Sequence, residues 1–271
     1  MNEPNSAMQT TTGRPLQGQH AVVTGASRGI GAAIAETLGR LGADVTLMSL
    51  PEPQLADQVG LVQKTYGVRA HGIACNIADE ASVVAAFDEA KSRFGDPQIL
   101  VNNAGIALAA PFSKTDRTFW QRMIDIDLTG QFFCTQQVAG AMVKAKYGRI
   151  VNLVSTAGHT GYPYCAAYCA AKHGMIGFTR ALAREYAKTG VTVNAVCPGY
   201  ADTDVVAATI TNIIAKTGRT REEAIAELVS HNPQGRLIQP AEVGEAVGWL
   251  CLPTSASVTG QSIMVDGGEI L

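Results

Sequence analysis

Several features that mark particular classes of protein are missing from this chain of 271 residues. It has no run of basic residues and a formal net charge of only −2, which argues against a surface for nucleic acids. No apolar run reaches the ~18 residues of a membrane span, so no membrane partner is expected. Residues 1–15 are polar and lack the apolar core of a secretory signal, and we expect them to form a disordered N-terminal tail.

The cysteines and histidines also lack the spacing of a structural framework. Without a secretory signal, six cysteines scattered through predicted strands and helices suggest reduced, buried thiols and a cytoplasmic protein. Cys165 and Cys169 would share a helical face, but the five histidines offer no matching ligand spacing, so no metal site is expected. We therefore look for function in other residues.

Short apolar runs alternate regularly with longer amphipathic segments. Such alternation predicts parallel strands joined by helical crossovers, in an α/β fold with a doubly wound, Rossmann-like sheet and helices on both faces. Length alone would allow two domains, but this fold class often reaches such a size around one core, so we predict one domain over 16–271. The seven predicted strands are 21–23, 44–48, 68–75, 98–101, 150–154, 191–197 and 261–265.

A glycine-rich turn follows the first predicted strand. Gly25, Gly29 and Gly31 lie in the segment Thr-Gly-Ala-Ser-Arg-Gly-Ile-Gly, just before apolar residues at helical spacing. This order presents backbone N–H groups and the positive end of a helix dipole to a phosphate. The spacing differs from the P-loop, which requires Gly-Lys-Ser/Thr, so a nucleotide triphosphatase is excluded.

A second motif is the pair Tyr168-x-x-x-Lys172, thirteen residues after Ser155. On a helix, residues four apart lie on one face, so the ammonium group would lie beside the phenol. A nearby positive charge favours the phenolate and lowers the phenol pKa from its usual ~10. Tyr168 could then exchange a proton with a substrate oxygen.

Together these motifs resemble the short-chain dehydrogenase/reductase family. The set also includes Asn-Asn-Ala-Gly at 102–105 and Pro-Gly at 198–199, in the family's order. The resemblance implies hydride transfer between a nicotinamide and a ketone or secondary alcohol. It also implies a homotetramer that uses 119–145, 164–187 and 258–268 at subunit contacts.

The resemblance assigns a role to each member of the motif. It makes Ser155 a hydrogen-bond donor to the substrate oxygen, Tyr168 the general acid or base, and Lys172 the residue that holds the nicotinamide ribose. One position departs from the family pattern. Where this chain has Asp127, the family usually has an Asn that helps to position a water in a proton relay. Its carboxylate would partly neutralise Lys172 and weaken the effect on the Tyr168 pKa; alternatively, it is solvated and has no effect.

Charge predicts the cofactor. Enzymes that prefer NAD usually end the second strand with a carboxylate, but here Ser49, Leu50 and Pro51 would not repel a 2′-phosphate. Arg28 lies in the glycine turn, where similar reductases use an arginine against that phosphate. We therefore favour NADP(H), with NAD(H) as the alternative. The predicted cofactor-binding residues are Gly25, Ser27, Arg28, Gly29, Ile30, Gly31, Ser49, Asn76, Ile77, Asn103, Ala104, Gly105, Tyr168, Lys172, Pro198, Gly199 and Thr203.

The resemblance implies that the substrate is a small carbonyl or alcohol compound. Residues 203–239 look like a two-helix lid, similar to those of 3-oxoacyl-thioester reductases and 3-hydroxybutyrate-type dehydrogenases. The alternative within the same chemistry is an NAD-dependent secondary-alcohol or 3-hydroxyacyl dehydrogenase. Two further classes stay open because fold alone does not decide function: a catalytically silent NADP(H) sensor or scaffold, and a lyase, epimerase or dehalogenase. The predicted substrate-pocket residues are Ser155, His159, Tyr162, Tyr164, Tyr168 and Tyr200.

Overall fold

The computed structural model describes residues 13–270. The predicted N-terminal tail therefore lies largely outside the described residues. At its end, the Arg14 guanidinium donates a hydrogen bond to the carbonyl of Tyr66. Within 13–270, no helix is long and apolar enough to cross a membrane.

Seven parallel strands form one sheet in the order β3-β2-β1-β4-β5-β6-β7. The strands are β1 (His20–Thr24), β2 (Asp44–Ser49), β3 (Ala70–Ala74), β4 (Ile99–Asn102), β5 (Gly148–Leu153), β6 (Val191–Pro198) and β7 (Ser262–Val265). The strand order reverses between β1 and β4, and sheets of this kind bind ligands at that point. The predicted doubly wound α/β fold is confirmed.

Helices connect the strands and cover the sheet. They are α1 (Gly29–Arg40), α2 (Pro53–Tyr66), α3 (Glu80–Phe94), α4 (Arg117–Ile124), α5 (Gly130–Ala145), α6 (Ala166–Glu185), α7 (Asp204–Thr217), α8 (Arg221–Leu228) and α9 (Pro240–Cys251). A π-helical turn, Asp125–Thr129, joins α4 directly to α5. Short 3₁₀ turns lie at Phe112–Lys114, Thr156–Gly158 and Pro253–Ser255.

Two apolar layers enclose the sheet. Within β1, Ala21 and Val23 belong to the layer with α1, α2 and α9, while Val22 belongs to the layer with α3 and α5. This alternation follows from the two-residue period of a strand. Because both faces of β1 and β6 are covered, these strands are buried along their whole length and read as nearly continuous apolar runs.

The segment predicted as a lid contains α7 and α8. These two helices pack in a small apolar cluster that includes Val206, Ile210 and Ala224, together with Leu237 beyond α8. Helix α8 begins with a capping box in which Thr220 and Glu223 satisfy each other's backbone N–H groups. The function of this segment as a lid stays a prediction.

Candidate active site

A crevice of about 560 Å³ lies at the carboxyl ends of the strands. Its volume is within the range of roughly 300–1,000 Å³ usual for small-molecule and cofactor sites. Every predicted cofactor-binding residue lines it, and so do Ser155, Tyr162, Tyr168 and Tyr200 from the predicted substrate set. The motifs converge because parallel strands all present their carboxyl ends at the same edge.

The glycine turn forms one wall of the crevice, between β1 and α1. Gly25 and Gly29 have φ angles of +65° and +58°, in the left-handed region that favours glycine. A Cβ atom on Gly31 would lie 2.1 Å from the Gly25 carbonyl oxygen. The Asn103 side chain fixes the turn by donating to the carbonyls of Thr24 at 2.8 Å and Gly25 at 3.0 Å. This close-packed turn, ending at a helix N-terminus, fits a phosphate-bearing cofactor.

Helix α6 and strand β5 bring the candidate catalytic residues together. The Lys172 ammonium lies 5.6 Å from the centroid of the Tyr168 ring, as expected for positions four apart on a helix. The same ammonium donates to the carbonyl of Leu153, 3.2 Å away at the end of β5. Ser155 lies two residues after Leu153, and its hydroxyl oxygen accepts a hydrogen bond from the Ala157 N–H at 3.1 Å. Tyr168, Lys172 and Ser155 therefore line one part of the crevice.

Asp127 is fully buried and contacts Lys172, so the solvated alternative is wrong. Its Oδ1 lies 3.2 Å from the Lys172 ammonium, and the carboxylate also accepts from the Ile106 N–H. A Cβ atom on Gly105 would lie 2.5 Å from Oδ1, so glycine permits this approach. Asp127 stands in the π-helical turn, a rare element that often marks functional sites.

The electrostatics of these three groups favour a protonated tyrosine and a charged lysine. Burial raises the pKa of Tyr168, Lys172 opposes that increase, and Asp127 adds to it. Burial also acts to lower the pKa of Lys172, but Asp127 and Tyr168 together outweigh it and raise the pKa. Burial raises the pKa of Asp127 against the attraction of Lys172. Burial therefore outweighs the lowering of the Tyr168 pKa that the sequence predicts from Lys172, and the phenol keeps its proton beside the charged lysine.

The end of the crevice beside Arg28 differs from the sequence-based expectation. Glu52 lines the crevice shortly after Ser49; its Oε2 accepts from the Arg28 guanidinium and its Oε1 from the Ser27 hydroxyl, both at 2.9 Å. Asp204 Oδ2 lies 3.8 Å from Arg28 Nε. The expectation that no carboxylate stands here is wrong. It considered only the residues directly after β2, whereas the turn leading into α2 returns Glu52 towards the glycine turn.

Tyr162 is held by a residue that the sequence did not indicate. Its hydroxyl donates to the Glu269 carboxylate, and its oxygen lies 2.8 Å from the hydroxyl oxygen of Thr156. Burial and the Glu269 carboxylate raise the pKa of Tyr162, so this hydroxyl keeps its proton. Glu269 comes from the end of the chain, beyond β7, and no motif could have pointed to it.

Two predicted pocket residues are not brought into the crevice lining. His159 has its Nε2 3.7 Å from the thiol of Cys197, and Tyr164 is 65% exposed with a φ of +68°. In contrast, Cys165 lies in the crevice lining. Cys165 and Cys169 are both only partly buried, so the expectation of buried thiols is wrong at these two positions. Apolar residues missed by the sequence complete the wall, including Ile106 to Ala109.

Known proteins with similar sequences and structures cover almost the whole chain. A family model described as enoyl-(acyl carrier protein) reductase matches residues 25–269. A 3-oxoacyl-[acyl-carrier-protein] reductase of Aquifex aeolicus is 37% identical, covering 93% of this chain and 98% of its own. A cis-4-hydroxycyclohexanecarboxylate dehydrogenase of Sinomonas cyclohexanicum is 40% identical, with coverages of 92% and 95%. A crystal structure of an actinorhodin polyketide ketoreductase variant with NADPH superposes with a TM-score of 0.88 at 38% identity, covering 93% of this chain and 97% of that one.

Proposed function

Because the chain belongs to the short-chain dehydrogenase/reductase family and is an NAD(P)-dependent oxidoreductase, we propose that it reduces a 3-oxoacyl thioester to the 3-hydroxyacyl thioester with NADPH. The observation that carries the proposal is the arrangement of Ser155, Tyr168 and Lys172 in the same crevice as the glycine turn. The names of similar proteins support the substrate class, and the NADPH in the similar crystal structure supports the cofactor.

The residues of the crevice fit this cofactor. In the proposal, the backbone of the turn around Gly29 binds the pyrophosphate, Arg28 the 2′-phosphate, and Lys172 the nicotinamide ribose. Asn76 and Ile77, which line the same crevice, would contact the adenine. The bound nicotinamide supplies the hydride.

The protein's own groups supply the proton and orient the carbonyl. Ser155 and Tyr168 direct their hydroxyls at the substrate oxygen, and Tyr168 gives its proton as negative charge develops there. The raised pKa of Tyr168 keeps the phenol protonated at neutral pH. Lys172 stabilises the phenolate that remains, which limits the cost of the proton transfer.

A second candidate is the oxidation of a secondary alcohol with NAD. It is favoured by one observation, the Glu52 carboxylate near Arg28, because a carboxylate in this region can accept a hydrogen bond from a ribose 2′-hydroxyl. The sensor alternative is opposed by the geometry of the catalytic motif. Both candidates use the same catalytic groups, so substrate and cofactor tests separate them.

The experiment measures NADPH oxidation by the purified protein with a 3-oxoacyl thioester, a small ketone and a cyclic ketone. We expect the thioester to be reduced fastest, and Tyr168→Phe to bind NADPH but lose about 10²–10⁴-fold in rate. Tyr164→Phe is the matched control, since that ring lies outside the crevice lining. Retention of more than about a tenth of the activity in Tyr168→Phe would assign the acid to another group. Absence of turnover with all three substrates would support the sensor alternative.

We also propose a homotetramer. β7 is an edge strand, and each of its residues, Ser262 to Val265, is only partly buried in the single chain. An edge strand with unpaired backbone groups is a natural contact for another copy. Light scattering at micromolar concentration should give four times the mass of one chain, and a stable monomer would contradict the proposal.

A further inference from the structure

The Arg28 side chain is already held by two carboxylates. Its guanidinium donates to Glu52 at 2.9 Å, and Asp204 lies 3.8 Å away on the first turn of α7. We propose that Glu52 determines cofactor specificity, because it competes with a 2′-phosphate for Arg28 and so limits the preference for NADPH over NADH. This inference rests on the proposed binding of a nicotinamide dinucleotide in the crevice.

The Glu52 carboxylate is fixed in place. One of its oxygens accepts from the Ser27 hydroxyl and the other from Arg28, so both oxygens are held in place, and each keeps a further lone pair. Its backbone is the extended residue before α2, with Pro53 as the first helical residue. The Glu52 side chain is 22% exposed, whereas that of Arg28 is 54% exposed. An incoming phosphate therefore meets an arginine whose strongest bond is already made.

The charges around Arg28 determine whether a 2′-phosphate or a 2′-hydroxyl binds there more favourably. A phosphate monoester carries about −1.5 to −2 charge at neutral pH. Bound to Arg28, it would lie close to the carboxylates of Glu52 and Asp204, which both already interact with that arginine. A ribose 2′-hydroxyl brings no charge and can donate a hydrogen bond to Glu52. Arg28 thus favours NADPH while Glu52 favours NADH, and the observed Arg28–Glu52 bond opposes the first preference.

The alternative reading is that Glu52 only supports the glycine turn through Ser27. In that case its removal would weaken NADPH and NADH equally. If it competes for Arg28, its removal would strengthen NADPH binding alone. The two readings therefore differ in sign for one cofactor.

The experiment measures the dissociation constants of NADPH and NADH by calorimetry for the wild-type protein, Glu52→Gln and the double variant Glu52→Gln/Arg28→Ala. Glu245→Gln is the control, since that exposed carboxylate pairs with Arg40 outside the crevice lining. We expect Glu52→Gln to tighten NADPH about ten- to a hundredfold, the scale of one charge-assisted hydrogen bond, without tightening NADH. The double variant should lose that gain, and Glu245→Gln should match the wild type.

The outcomes are separable. An unchanged ratio of the two constants in Glu52→Gln, or equal losses for both cofactors with an unchanged melting temperature, would overturn the inference. A gain that persists in the double variant would also overturn it, because the effect would not pass through Arg28. Failure of the wild-type protein to bind either cofactor would instead refute the proposed function. Added salt should reduce the difference in NADPH dissociation constant between the wild-type protein and Glu52→Gln, because screening weakens charge repulsion.

Discussion

The carboxylate at Asp127 should set the pH at which Tyr168 works. The Lys172 ammonium lies 3.2 Å from Asp127 and 5.6 Å from the Tyr168 ring centroid, so the carboxylate and the ring are less than about 9 Å apart. At that separation and an effective dielectric constant of about 20, two unit charges interact by roughly 2 kcal/mol. Asp127→Asn should therefore lower the pKa of Tyr168, and about 1.4 kcal/mol of this interaction corresponds to a tenfold change in the ratio of phenolate to phenol.

The sign of the effect follows from the charge that is removed. Asp127 raises the pKa of Tyr168, and an amide carries no charge, so the phenolate becomes easier to form. Alcohol oxidation needs the phenolate, and its rate should therefore rise at a lower pH in Asp127→Asn than in the wild-type protein. Ketone reduction needs the phenol, and its alkaline decline should move in the same direction. The fold should persist, because the two side chains are nearly the same size and the amide oxygen can still accept from Ile106.

The assay is the pH dependence of kcat/KM for oxidation and for reduction, measured on the wild-type protein and Asp127→Asn. Asp125→Asn provides the control, since it removes the same charge from the same π-helical turn, at a side chain that is bonded to Gln121 rather than to Lys172. Unmoved profiles at an unchanged rate would refute the coupling. A collapse of the rate at every pH would show that the enzyme depends on the carboxylate itself.

Three other substitutions test buried contacts. Burial lowers the pKa of His20 below 6.5, so the unfolded chain binds more protons below that pH and stability falls as the pH drops. In denaturant titrations, the free energy of unfolding of His20→Gln should fall less steeply with decreasing pH than that of the wild-type protein. The Cβ atom of Gly31→Ala would lie 2.1 Å from a carbonyl oxygen, so thermal unfolding should show a loss of about 1–3 kcal/mol in the free energy of unfolding. The control Gly140→Ala has open space around it and should not destabilise the protein. Tyr162→Phe removes the hydroxyl bound to Glu269 and should raise KM more than it lowers kcat; a loss of kcat as large as in Tyr168→Phe would make Tyr162 the acid.

The strands and the converging motifs were predictable from the sequence for a physical reason. Strands covered on both faces leave apolar runs, and parallel strands bring Gly25, Asn103, Ser155 and Pro198 to one edge of the sheet. A local spacing on one helix was enough to pair Tyr168 with a lysine.

The remaining contacts depend on how distant segments meet. Asp127 reaches Lys172 through a π-helical turn that the sequence pattern does not reveal. Glu52 reaches Arg28 because the loop before α2 folds back, and Glu269 reaches Tyr162 from the end of the chain. Each contact joins charged or polar side chains far apart in sequence, so local patterns carry no signal for them, and only the family resemblance had indicated that Asp127 would lie near Lys172.

The proposed reaction has one chemical signature, which is a hydride moved from the nicotinamide to a carbonyl carbon. Wild-type protein incubated with a 3-oxoacyl thioester and NADPH deuterated at the transferable position should yield a 3-hydroxyacyl thioester with one deuterium on the carbinol carbon, detected by mass spectrometry. Tyr168→Phe should yield about 10²–10⁴-fold less of the same product in the same time. An alcohol product without deuterium on that carbon, or no alcohol product from the wild-type protein, would contradict the proposed function.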